Sequence, residues 1–119
     1  MAMNEAQLQA KIRLEAHTKD AVLWRNNTGK LKDKNGRWVE FGLCVGSSDL
    51  IGFTEQKITQ DMVGSYVAVF TAVEVKSEIK PSPTTKEQKH FVDSINSRGG
   101  IAGVVNSLDD FQRLFQASE

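Results

Sequence analysis

The sequence predicts one small α/β domain with a parallel crossover near its end. Three observations predict it. Residues 66–73 form an uncharged, strand-like run that continues into Glu74-Val75-Lys76. Thr84 with Glu87 has the form of a capping box ahead of a helical stripe, Phe91, Val92 and Ile95. Arg98-Gly99-Gly100 then ends that helix, and Ile101-Ala102-Gly103-Val104-Val105 reads as another strand. Strand, helix and strand in close succession indicate a parallel crossover, here within a mixed sheet. The chain has 119 residues, enough for one core and too few for two, so a single domain is expected over residues 1–119.

The elements follow in the order α-β-β-β-β-α-β-α. A first helix runs from Asn4 or Glu5 to about His17, with Glu5, Leu8, Ile12 and Glu15 on one stripe. Ala21-Val22-Leu23-Trp24-Arg25 is a short strand. Residues 30–37 are polar and basic, and Asn35-Gly36 marks a hairpin turn before the strand Trp38-Val39-Glu40-Phe41. Gly42 and Gly46 break the chain ahead of a third strand near Asp49-Leu50-Ile51-Gly52-Phe53. Thr59 opens a single helical turn through Met62, and Gly64 stops it. The run into Lys76 is the fourth strand. Pro81 and Pro83 mark the loop before the second helix. Ser107 with Asp110 caps a final helix carrying Leu108, Phe111, Leu114 and Phe115.

Composition narrows the classes. No apolar run approaches the roughly 20 residues needed to span a membrane. The first residues lack a basic segment followed by an apolar stretch, so no secretory signal is expected. A single cysteine, Cys44, precludes an internal disulfide and a thiolate metal cage, and fits a reducing interior. Fifteen basic and fifteen acidic residues give a net charge of zero, which argues against a nonspecific nucleic-acid coat but leaves a nucleic-acid enzyme open.

The chemistry gathers at the end of the fourth strand. Side chains alternate along a strand, so Glu74 and Lys76 share the face of Phe70 and Ala72, while Val67, Val69, Val73 and Val75 take the other. A run apolar on both faces reads as an interior strand. Charged groups at its carboxyl end are costly unless paired or used, and open α/β sheets bind ligands at that edge. If Asp49 and Glu74 lie on neighbouring strands, two carboxylates, the Val75 carbonyl and waters make an oxygen-rich site suited to Mg²⁺. Lys76 then supplies positive charge to an attacking water or to the transition state of phosphodiester hydrolysis. Asp…Glu-x-Lys is a weak pattern by itself, and a strand-end salt bridge with Asp49 capping a turn accounts for the same residues.

Further stretches add to it: Trp24-Arg25-Asn26-Asn27-Thr28-Gly29, Phe41-Gly42, Gly46-Ser47-Ser48-Asp49-Leu50-Ile51-Gly52, Glu74-Val75-Lys76-Ser77, Gln88 with Phe91, and Gly99-Gly100-Ile101-Ala102. In this order the chain resembles the virus-type replication-repair nuclease domain (VRR-NUC), a branch of the PD-(D/E)xK nucleases, in its stand-alone phage or bacterial form. The resemblance implies a restriction-endonuclease-like fold, a central mixed sheet flanked by helices. It implies that Asp49, Glu74 and Lys76 are the catalytic carboxylates and lysine, with Glu5 of the first helix near the metal and Gln88 on the helix flanking the site. Ser48 stands where a proline often precedes the aspartate; that proline shapes backbone and does no chemistry. The implied activity is a Mg²⁺-dependent DNA endonuclease, with Mn²⁺ as a substitute. Its implied substrate is branched or structured DNA in phage or bacterial replication and repair, cut by a cytoplasmic homodimer. The alternatives are a noncatalytic DNA-binding module of the same fold, and a monomeric nicking or flap nuclease.

Other residues carry weaker expectations. Glu15 competes with Glu5 for the helix carboxylate. Arg25, Asn26 and Asn27 follow a strand and contact either phosphate or a neighbouring loop. Lys80, Lys86 and Lys89 surround the proline loop and are the better candidates for gripping DNA. Lys30, Lys32, Lys34 and Arg37 surround the hairpin tip, as a phosphate-contacting arm or as lysines guarding an edge. His17 and His90 lack ligand spacing. Trp24, Trp38 and Cys44 are expected in the core, although an exposed tryptophan can stack on an unpaired base.

Overall fold

The computed structural model describes residues 2–116. Its elements are α1 (Glu5–Ala16), β1 (Ala21–Arg25), β2 (Gly29–Lys32), β3 (Trp38–Phe41), β4 (Leu50–Thr54), β5 (Thr71–Val75), α2 (Lys86–Ser97), β6 (Ile101–Val105) and α3 (Leu108–Arg113), with short 3₁₀ turns at His17–Lys19 and Gln60–Met62. This is a small α/β protein of helices and two-stranded sheets. The described residues fall into two compact units divided after Lys57. No helix among them is long and apolar enough to cross a membrane.

In the first unit α1 starts on a capping box, with Asn4 Oδ1 accepting the Gln7 N–H at 2.9 Å and Gln7 Oε1 accepting the Asn4 N–H at 3.0 Å. The Glu5-Leu8-Ile12-Glu15 stripe is exposed throughout; Ala16 is buried, and the Arg13 Nε–H donates to the Leu23 carbonyl at 3.2 Å. A small residue at the helix end lets α1 approach β1, and the longer apolar residues are left outside. Asp20 adopts φ 59° to turn the chain into β1. β1 pairs antiparallel with β4, and the Trp24 and Phe53 rings meet diagonally across the ladder with centroids 5.7 Å apart. β2 and β3 form a separate antiparallel hairpin.

In the second unit β5 and β6 pair in parallel over five residues each, Thr71↔Ile101 to Val75↔Val105, with α2 as the crossover. The expected strand-helix-strand unit is therefore present. Its core is Ile95, 3% exposed, against Ala102 and Val105. The Asn96 amide fixes the end of α2 to β6, donating to the Ala102 carbonyl and accepting its N–H, both at 2.9 Å. Ser107 Oγ accepts the Asp110 N–H and caps α3, as expected.

Several expectations need correction. Gly29–Lys32 is a strand, so five strands precede α2; a polar, basic segment still pairs when a tight turn holds it opposite β3. The uncharged run 66–73 becomes strand only at Thr71, because β6 offers five residues between Gly100 and the Ser107 cap. Tyr66, Val67 and Val69 ahead of it are exposed. The second helix is capped one residue later than expected, by Thr85 with Gln88 instead of Thr84 with Glu87. Cys44 is exposed in the loop turned by Gly46, and Trp38 is 66% exposed. Neither belongs to the core.

Candidate active site at the end of β5

The site is built from the carboxyl end of β5 and the first turn of α2. Even-numbered residues of β5 share a side-chain face, so Glu74 and Lys76 project together. The same alternation governs the backbone. The Ile101 N–H donates to the Phe70 carbonyl at 2.9 Å, and the Lys76 N–H to the Val105 carbonyl at 2.8 Å. In a parallel ladder, alternate residues turn both backbone groups toward the partner strand. Residues 70, 72, 74 and 76 thus face β6, and the Val75 carbonyl points away from it. β6 is the one strand partner of β5 among the described residues. The Val75 oxygen is therefore not used by that ladder.

Gln88 joins the two charges. Its Nε2 donates to Glu74 Oε1 at 2.7 Å, and its Oε1 accepts from Lys76 Nζ at 2.9 Å. The same Oε1 accepts the Thr85 N–H at 3.0 Å, while Thr85 Oγ1 accepts the Gln88 N–H at 3.1 Å. One side chain thus completes the helix cap and holds both strand residues. The amide orientation is determined by chemistry: a flipped group would aim a donor at two N–H donors and an acceptor at a carboxylate. Lys76 Nζ lies 3.6 Å from Glu74 Oε1, and the two side chains are 10% and 37% exposed respectively. The lysine is enclosed, and the carboxylate reaches solvent. Ala72, Phe91 and Val92 join Glu74 and Gln88 around an open cleft of about 320 Å³.

Glu74 and the Val75 carbonyl are hard oxygen donors, the ligand chemistry that Mg²⁺ takes. Among the described residues no three His, Cys, Asp or Glu side chains converge into a ready-made cage.

In the first unit Asp49 is exposed immediately before β4, and its carbonyl accepts the Asn26 N–H at 2.8 Å. Asn26 organises this loop. Its Nδ2 donates to Ser47 Oγ at 2.7 Å and to the Ser48 carbonyl at 3.0 Å, and its Oδ1 accepts the Leu43 N–H at 3.0 Å. Asn26 is thus the neighbouring-loop contact weighed for this segment, while Arg25 and Asn27 are exposed. Glu5 and Glu15 are exposed on α1. Of the basic candidates in the second unit, Lys89 pairs with Asp93 at 2.9 Å, and Lys80 and Lys86 are exposed. Thr85 is the cap, and Thr85-x-x-Gln88 fits the capping pattern as well as Thr84-x-x-Glu87 does.

Fold and site define an α/β protein that presents an acid, an amide and a lysine together at a strand end. The VRR-NUC domain family model matches residues 3–109, nearly the whole chain and both compact units. The chain belongs to the VRR-NUC family and is a nuclease domain whose substrate is DNA. No curated protein and no solved structure gives a match.

Proposed function

We propose that the chain is a Mg²⁺-dependent DNA endonuclease, with Mn²⁺ as a substitute, whose active residues are Asp49, Glu74 and Lys76. The observation that carries the reading is the Glu74–Gln88–Lys76 arrangement in a chain of a nuclease family. Glu74 and the Val75 carbonyl would bind the metal from β5. Asp49 as the second carboxylate and Glu5 as a supporting one rest on the family pattern, as does a central mixed sheet of restriction-endonuclease type. Bound Mg²⁺ supplies Lewis-acid polarisation of the scissile phosphate.

The chain's own residues do the rest. Hydrolysis forms a bond from water oxygen to phosphorus and breaks the bond to the leaving sugar oxygen, and negative charge gathers on the phosphoryl oxygens. The Lys76 ammonium is held by Gln88 before substrate arrives, so it can orient the water and meet that charge without reorganising. Gln88 also keeps Glu74 from collapsing fully onto Lys76. It occupies Oε1 and leaves the other carboxylate oxygen for metal.

The proposed substrate is branched or structured DNA in phage or bacterial replication and repair, cut in the cytoplasm. Symmetric cutting of a four-way junction needs two sites related by a two-fold axis, hence a homodimer. The test is a Mg²⁺ cleavage panel over single-stranded, duplex, flap and four-way-junction DNA with the parent and Lys76→Ala. Loss of one preorganised charge should slow cleavage by roughly 10²–10³-fold while DNA binding persists. A Lys76→Ala protein that cuts at the parent rate removes the assignment.

A further inference from the structure

The β2–β3 hairpin has two unlike faces, and one of them is chemically suited to nucleic acid. Cross-strand partners share a face, so Lys32 with Trp38 and Lys30 with Glu40 lie on one side, and Leu31 with Val39 on the other. The second side is apolar and carries no charge to select a polyanion. On the first, Lys32 Nζ sits 5.2 Å from the Trp38 ring centroid, and Trp38 is nonetheless 66% exposed. A tryptophan left this open gains little from burial in the fold, and it displays an aromatic surface beside a cation.

The tip adds a fixed positive end. Asp33 Oδ1 accepts the Asn35 N–H at 2.8 Å and the Arg37 N–H at 2.9 Å, and Gly36 takes the left-handed turn at φ 77°. Asp33 is thereby engaged in shaping the turn. Glu40 is paired with Lys30 at 3.7 Å. Among the described residues, Lys32, Lys34 and Arg37 then have no carboxylate partner. One cation against an open indole, with Lys34 and Arg37 in the adjoining turn, matches a phosphate backbone with an unstacked base.

We infer that the tip end of this hairpin is a DNA-contacting surface in which Trp38 stacks on an unpaired base while Lys32 beside it, and Lys34 and Arg37 of the turn, contact the adjoining phosphates. The inference deepens the DNA-nuclease reading by naming a feature of the substrate, a single-stranded or unpaired stretch. It does not depend on the cleavage site.

The experiment is done in EDTA, so that binding is read without cutting. Anisotropy of a labelled oligo-dT measures affinity for the parent, Trp38→Ala, Trp38→Phe and the triple variant Lys32→Ala/Lys34→Ala/Arg37→Ala. Trp38→Ala should weaken binding by between about 5-fold and 150-fold, the range for one base–aromatic stack, and Trp38→Phe should recover most of it. The triple variant should reduce the slope of log affinity against log salt by about 2, near 0.7 for each lost phosphate contact. Emission of Trp38, taken as the parent minus Trp38→Phe difference, should quench as oligo-dT binds and respond less to a blunt duplex. Parent-like affinity and salt slope in these variants overturn the inference, as does Trp38 emission that ignores bound DNA or responds equally to duplex. No binding of any oligonucleotide overturns it too. Failure of the nuclease site is separate: it appears as undiminished cutting by Lys76→Ala in Mg²⁺, and leaves the Trp38 result standing.

Discussion

Replacing Gln88 by glutamate tests the site at one atom. The substitution keeps side-chain length, the acceptor for Lys76 and the acceptor for the Thr85 N–H. It exchanges only the Nε2 donor, 2.7 Å from Glu74 Oε1, for an oxygen. The hydrogen bond to a carboxylate is lost, worth about 1.5–3 kcal/mol before any discount for exposure. In its place two negative oxygens face each other. Unit charges at that distance repel by about 1.5 kcal/mol in water and about 6 kcal/mol at an effective dielectric of 20. Glu74 is 37% exposed, so the watery end of the range and a discounted hydrogen bond apply. The new charge also attracts Lys76 Nζ, 2.9 Å from the same group, by about 1.4 kcal/mol in water, which nearly cancels that repulsion, and in the first turn of α2 it returns about 0.3–1 kcal/mol through the helix dipole. The net expectation is a loss of about 1 kcal/mol in EDTA. By urea unfolding followed by circular dichroism, the midpoint should fall by about 0.5 M, given typical slopes of 1–3 kcal/mol/M. Gln88→Leu, which removes all three side-chain bonds, should fall at least as far. If both variants unfold at the parent midpoint, Gln88 does not hold Glu74 and Lys76, and the site described above is wrong.

Removing metal with EDTA should stop cleavage while DNA binding measured by anisotropy persists; Mg²⁺ should restore cutting in the parent and not in Asp49→Asn, and metal-independent cutting refutes the proposed chemistry. Ile95→Ala should destabilise by about 2–4 kcal/mol in chemical denaturation, because Ile95 is 3% exposed between α2 and β6. Asn26→Ala should open the loop between β3 and β4, seen as faster proteolysis at residues 42–49, since it removes three hydrogen bonds from that segment. An unchanged digestion pattern would show that Asn26 does not organise the loop.

The second unit was the more legible in sequence. Charge at the end of an apolar run is costly, which singles out Glu74 and Lys76, and period-2 alternation places them on one face without further information. The glycine pair after Arg98 and the Ser107 cap fixed the crossover in the same local way. The misses have a common cause. Residue type points Trp38 and Cys44 to a core, but burial depends on what packs against a segment, and both residues are exposed. Leu8 and Ile12 follow the same rule: a helical stripe tells which residues share a side, not whether that side is covered. Asn26 holds the neighbouring loop. Its hub role depends on residues seventeen to twenty-two positions away, which no local pattern encodes.

The one-residue shift of the second helix cap carries the same point into function. Thr84-x-x-Glu87 and Thr85-x-x-Gln88 satisfy the capping pattern equally, so local propensity cannot choose between them. The site can. A glutamate at the capping position would offer acceptors alone, adequate for Lys76 and the Thr85 N–H but repulsive toward Glu74. A glutamine offers an acceptor and a donor on one planar group, and the two ends meet a cation and an anion 3.6 Å apart. The cap that forms is therefore the one whose side chain also neutralises the cost of bringing Glu74 and Lys76 together. On this view the start of α2 is set by the charged end of β5. Moving the cap back to Thr84, for instance by Thr85→Val, should loosen Lys76 as well as fray the helix.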